Sequence, residues 1–144
     1  MRKLSVVLIV IFIIPWLILF YRNYSVENSS YQKVIFLTGT FPSPLPSGFY
    51  KGSIPFLDTP WEGKKFDASS SSGINIVKGK EALPFKTYKG KGLKDKNLDV
   101  LKIDYKGIFL DELVQNAHNR YTGKAYLKLI PGFPLSLGFF RLER

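Results

Sequence analysis

The chain has 144 residues, 45% hydrophobic and 15% aromatic, with a formal charge of +10 and no cysteine. That length holds one domain once a terminal segment is set aside, and a charged fraction of 22% is below that of a disordered chain. The lack of cysteine excludes disulfides, thiolate metal sites, a cysteine nucleophile and a lipid-modified cysteine.

Residues 4–21 read LSVVLIVIFIIPWLILFY and carry no charge. Eighteen helical residues at about 1.5 Å each cover about 27 Å, enough to cross a hydrocarbon core. Trp16 and Tyr21 sit toward one end, where amphipathic rings favour the membrane interface. Pro15 would break a soluble helix but is tolerated in a membrane. The apolar run is longer than that of a cleavable signal peptide, and the YRNYSVENSS that follows offers no strong small-x-small site. Residues 1–24 therefore read as an uncleaved, single-pass membrane anchor, with a cleaved signal peptide as the alternative. Arg2, Lys3 and the α-amino group outweigh Arg22, which places the N-terminus in the cytoplasm and the C-terminal domain outside it.

Residues 25–47 read as a tether. Residues 25–32 are polar and turn-rich, and residues 33–37 are a short apolar run suited to a first strand. Residues 41–48, FPSPLPSG, place three prolines at alternate positions, the pattern of a stiff extended linker.

From residue 48 glycines punctuate the chain. Strands are expected within residues 48–56, 64–68, 73–77, 84–89 and 99–106, with a turn over DTPWEG (58–63) and a loop over SSSSG (69–73). Leu101, Ile103 and Tyr105 alternate with Lys102, Asp104 and Lys106. Ala125, Leu127 and Leu129 alternate in the same way, as do Phe140 and Leu142. Residues 109–117 fit a strand leading into a hairpin turn at 116–119, with a helical turn as the alternative. Seven or eight short two-faced strands predict an all-β domain over residues 48–144: a small antiparallel β-barrel or sandwich, the barrel being preferred because closure relieves it of exposed edges.

The segments Gly48-Phe49-Tyr50-Lys51-Gly52, Pro60-Trp61-Glu62-Gly63, Gly73-Ile74-Asn75, Phe85-Lys86-Thr87-Tyr88, Val100 to Tyr105, Gly123-Lys124-Ala125 and Phe139 to Glu143 carry a resemblance. Together they resemble small uncharacterised bacterial proteins with a lipocalin-like β-barrel. More distantly they are similar to the family named for a Gly-x-Trp-x-Gly motif, Tyr50 standing where the tryptophan would be. The resemblance spans residues 48–144, implies a barrel, and carries no catalytic residues over.

Catalytic material is sparse. His118 is the one histidine, at an expected turn tip, and no Asp/Glu cluster has metal-ligand spacing. Asp111 and Glu112 are adjacent and diverge in a strand, so both read as surface charges paired with neighbouring lysines. Gly79-Lys80 and Gly90-Lys91-Gly92 lack the longer glycine run of a phosphate loop and read as hairpin turns. No cofactor, metal or nucleic-acid partner is expected, and enzymatic function is disfavoured.

Two surfaces remain. Tyr50, Phe56, Trp61, Phe66 and Tyr105 are candidates for lining a barrel mouth that holds an apolar ligand, against ordinary core packing. Lys86, Lys89, Lys91, Lys94 and Lys96, within a lysine-rich stretch, are candidates for contact with anionic lipid headgroups. The leading expectation is a membrane-anchored barrel that binds a lipid or another apolar molecule. The alternative is a structural or interaction protein of the cell envelope with a solid core, and the third reading is an enzyme acting on a lipid-like substrate.

Overall fold

The structure, a computed structural model, describes residues 2–144. It consists of a long N-terminal helix, a short second helix and a closed eight-stranded antiparallel barrel. Helix α1 (Arg2–Glu27) is one rod with Pro15 inside it, long and apolar enough to cross a membrane. Its side chains Val10 to Ile14, Trp16 to Ile18 and Phe20 stand exposed. The rod does not stop at the end of the apolar run but carries on through Glu27.

Two expectations for the following segment are corrected here. Residues 25–32 are no turn-rich tether: α1 fills the first three positions, and α2 (Ser30–Leu37) begins only three residues after it ends. Residues 33–37, expected as a strand, belong to α2. Phe36 of this helix is fully buried while Tyr31 and Val34 are exposed, so one turn-spaced stripe does the packing. Five consecutive apolar or long side chains fit a strand and a short helix equally well, and here tertiary packing selects the helix.

The barrel strands are β1 (Gly48–Ser53), β2 (Trp61–Asp67), β3 (Ser72–Val77), β4 (Lys80–Lys91), β5 (Asp99–Asp104), β6 (Phe109–Ala117), β7 (Arg120–Ile130) and β8 (Phe133–Glu143). Each pairs antiparallel with the next, and β8 returns to β1 through Lys51↔Glu143, Gly52↔Leu142 and Ser53↔Arg141. The hairpin expected at residues 116–119 is present, so residues 109–117 are strand rather than helix. Gly90 and Lys91 lie inside β4, which runs beyond its expected end, so they form no hairpin turn.

Large rings fill the barrel opposite strand positions that have no side chain. A Cβ at Gly52, Gly73 or Gly123 would run into the rings of Trp61, Phe85 or Phe140 respectively. Tyr121, Tyr50, Phe66, Phe85 and Tyr105 form a chain of edge-to-face contacts with centroids 5.2–6.0 Å apart. An eight-stranded barrel is just wide enough for such filling.

Strand alternation gives the barrel two distinct ends. The turns at residues 54–60, 78–79, 105–108 and 131–132 share the proximal end, where β8 begins. The turns at residues 68–71, 92–98 and 118–119 leave from the distal end. The proline-rich residues 41–47 do not bridge open space as a linker would. They close the distal mouth: Phe41 packs on the interior cluster, Pro42 is buried, and the Ser43 amide donates to Gln115 Oε1 at 2.9 Å. Thr40 exchanges backbone hydrogen bonds with Gln115, on a stretch of β6 that β5 does not pair.

Outside the wall a second core joins the helices to β5–β8. Val26 of α1 and Phe36 of α2 pack with Val100, Val114 and Phe139. Phe20 meets Phe133 at the start of β8 with ring centroids 6.1 Å apart, while Val26 lies beside Phe139 further along it. Helix α1 therefore runs alongside β8 in the same direction. Its apolar N-terminal part extends beyond the proximal end.

Candidate functional site

Two ionic clusters organise the molecule, one inside the barrel and one outside it. Inside, Lys64 on β2 shares its strand face with Phe66, and Asp111 on β6 shares its face with Leu113. The Lys64 ammonium lies 2.9 Å from Asp111 Oδ2, donates to Asn75 Oδ1 at 2.9 Å, and donates a third hydrogen bond to the Tyr105 hydroxyl. All three of its protons are thus used. Tyr105 donates onward to Asp111 Oδ2 at 2.7 Å, and Trp61 Nε1 donates to Asn75 Oδ1 at 3.0 Å.

Around the same ammonium stand the rings of Trp61, Phe85, Tyr105 and Phe140, with centroids 5.1–5.5 Å away. This is the aromatic box with which proteins hold a cationic ligand, filled here by a side chain of the chain itself. Burial pulls the Lys64 pKa below its ordinary value, and Asp111 restores only part of the loss. Burial pushes the Tyr105 hydroxyl the other way, so it stays protonated and can serve as a donor.

Outside, Glu27 near the C-terminus of α1 meets cations from three elements. Lys124 of β7 lies 2.8 Å away, Lys94 of the 92–98 loop 3.6 Å and Lys33 of α2 3.6 Å. The Lys124 side chain is fully buried and also lies 3.2 Å from Asp95. Ser136 of β8 donates to Glu27 through its hydroxyl and to Asn23 Oδ1 through its amide at 2.9 Å. Arg22 Nε donates to the Leu137 carbonyl at 2.6 Å. Beside this joint Lys102 pairs with Glu112 at 2.7 Å, and Glu112 accepts the Leu93 amide, pinning the 92–98 loop to the wall.

The candidate ligand residues divide. Tyr50, Trp61, Phe66 and Tyr105 do converge inside the barrel, where they pack on one another and on Lys64. Phe56 does not join them: it stands fully exposed on the proximal 54–60 loop, with φ at +62°. The candidate lipid-contact lysines divide as well. Lys86, Lys89 and Lys91 run up β4 toward the distal end, with Lys89 over the Phe41 ring that stoppers it. Lys96 is exposed in the 92–98 loop, and Lys94 is tied into the Glu27 joint. None of the five sits among the proximal turns. His118 is exposed in its turn.

Lys64, Asn75 and Asp111 were not legible as a site, nor were Glu27, Asp95, Glu112 and Lys124 as a joint. The signal for the inner pair is a charge two residues from a core side chain: Lys64 before Phe66, Asp111 before Leu113. Among the described residues no His/Cys/Asp/Glu group is placed to hold a metal ion. A groove of about 540 Å³ lies at the surface, lined by Phe49, Lys51, Ile54, Leu57 and Trp61 among others. Comparison with protein-family models, curated proteins and solved structures gives no match to this chain, so its function is argued from its own geometry.

Proposed function

We propose that this is a single-pass membrane protein whose solid barrel serves as an interaction module in the cell envelope, not as a carrier. The observation that supports this best is the filled interior: the aromatic box that would receive a ligand holds Lys64. With α1 and α2 covering β5–β8, the outer wall of β1–β4 is the uncovered one. It carries Phe49 and Tyr88 beside Lys51 and Lys86, all exposed. Exposed aromatics interleaved with cations suit a partner with an acidic, partly apolar face. The N-terminal charges support a cytoplasmic N-terminus with the barrel on the other side.

A second reading, capture of one apolar molecule, is favoured by the groove beside Trp61, whose 540 Å³ falls within the range of ligand sites. One comparison separates the two. A photo-crosslinking residue replaces Tyr88 on the bare wall of the full chain, and a second variant carries it at Leu57 in the groove. Crosslinking in intact membranes from Tyr88 to one defined protein supports the interaction module. Lipid adducts at Leu57 with none to protein at Tyr88, together with a stoichiometric lipid in organic extracts of the purified chain, would replace it with the binding reading.

A further inference from the structure

The two ends of the barrel differ sharply in chemistry. At the distal end the turns at 68–71 and 118–119 are small and polar, the 92–98 loop exposes Lys96, and Leu45 of the closing segment is the large apolar side chain left in the open. At the proximal end three of the four turns carry large apolar side chains in the open. Phe56 and Leu57 project from the first, Ile108 and Phe109 from the third, and Leu129 and Phe133 flank the fourth. Isolated exposed hydrophobics are ordinary, but side chains gathered on separate turns at one end of a barrel mark a contact surface.

What covers that end follows from α1. The helix runs alongside β8, and Phe20, the last apolar residue of its run before Tyr21, touches Phe133 on the proximal rim. Beyond this point the helix continues as an exposed apolar rod. Asn23, Arg22 and Glu27 bind it to β8 and β7, so it leaves the barrel in a fixed direction instead of swinging on a flexible tether. The third and fourth turns, joined where the Lys128 amide donates to the Ile108 carbonyl, are thus level with the C-terminal end of the apolar run, whereas the first turn sits beside Arg22, Ser25 and Ser29, further along the helix. Trp16 and Tyr21, side chains that favour the membrane interface, bracket that level on the helix.

We infer that the third and fourth turns of the proximal rim are a second membrane contact, seated in the interface of the same bilayer that α1 crosses, with Ile108 and Leu129 as its leading anchors. The occupant is the lipid surface, because continuity with the apolar helix brings that surface to the rim. This inference rests on the reading of α1 as a membrane span. A barrel seated in this way holds one orientation, with its distal end and its β1–β4 wall presented to the aqueous side.

The natural absence of cysteine makes the test direct. Single Ile108→Cys, Ser70→Cys and Ile13→Cys variants of the full chain are labelled with an environment-sensitive fluorophore. They are then reconstituted in phosphatidylcholine vesicles containing lipid brominated at a shallow acyl position. All three positions are exposed and belong to neither ionic cluster; Leu129→Cys is a second reporter of the rim should Ile108→Cys misfold. The expected result is several-fold stronger quenching at positions 108 and 13 than at position 70. Quenching at 13 with positions 108 and 129 no different from 70 overturns the seated rim and leaves the anchor standing. No quenching at 13 overturns the anchor, and the inference with it.

Discussion

Lys64 and Asp111 form a pair whose cost depends on how it is broken. The attraction between them offsets a large desolvation penalty, and removing one partner leaves the other charged and buried. Asp111→Ala is therefore expected to destabilise the full chain by about 3–5 kcal/mol, whereas Lys64→Met combined with Asp111→Leu should cost far less. Urea melts followed by the aromatic near-ultraviolet signal measure both. The pH dependence follows from the lowered Lys64 pKa. Between its folded pKa and the ordinary 10.5, the unfolded chain binds the proton that the folded chain has lost. Stability from this group is complete above 10.5 and is lost as pH falls through the folded value. The wild type should therefore gain on the double variant as pH rises from neutral toward 10.5, in the same melts. Neither residue announced itself in the sequence. A lysine in a strand is read as solvent-facing, and only the partner from a strand far along the chain reverses that reading.

Among the elements, α1 changes character along its length: an exposed apolar rod at one end, a wall-bound strut at the other. The strut is held by polar contacts centred on Lys124, which faces Glu27 and Asp95 with no exposure to water. Replacing it with methionine keeps the apolar stem and removes the charge. Lys124→Met is expected to raise amide hydrogen exchange across residues 22–27 and 92–98 while leaving β2 and β3 protected, as read by mass spectrometry of the full chain. The elements also show how much of the fold local pattern can carry. Alternation at Leu101 and Ile103, at Ala125 and Leu127, and at Phe140 and Leu142 marked strands β5, β7 and β8, because one face is apolar and the other polar. Residues 4–21 marked the apolar helix by length alone. The pattern failed where neighbours distant in sequence decide. Residues 33–37 become helical because Phe36 fits the groove between Val100, Val114 and Phe139, and residues 41–47 become a stopper because Phe41 has a barrel mouth to enter.

For the molecule as a whole, if α1 crosses the membrane as proposed, its rigid attachment to the barrel makes it an orienting device. If the rim quenching and the Tyr88 crosslinks fall as expected, the membrane faces one end of the barrel and the partner meets the uncovered wall. The proximal rim and the β1–β4 wall were both missed in the sequence. Each is assembled from turns or strands spread across the whole barrel, and no window of the chain contains it. The return of β8 to β1 has a further consequence, for biogenesis. β8 is both the strand that closes the barrel and the strand along which α1 lies. If α1 is the membrane span proposed above, it enters the membrane during synthesis long before β8 is made. Until residues 133–143 emerge, the helix has no docking strand and β1 has an open edge. Closing the barrel and docking the helix thus depend on the same late-made strand, so a ribosome that stalls before it leaves a chain with its edge and its polar helix face exposed, a form suited to recognition by a quality-control protease.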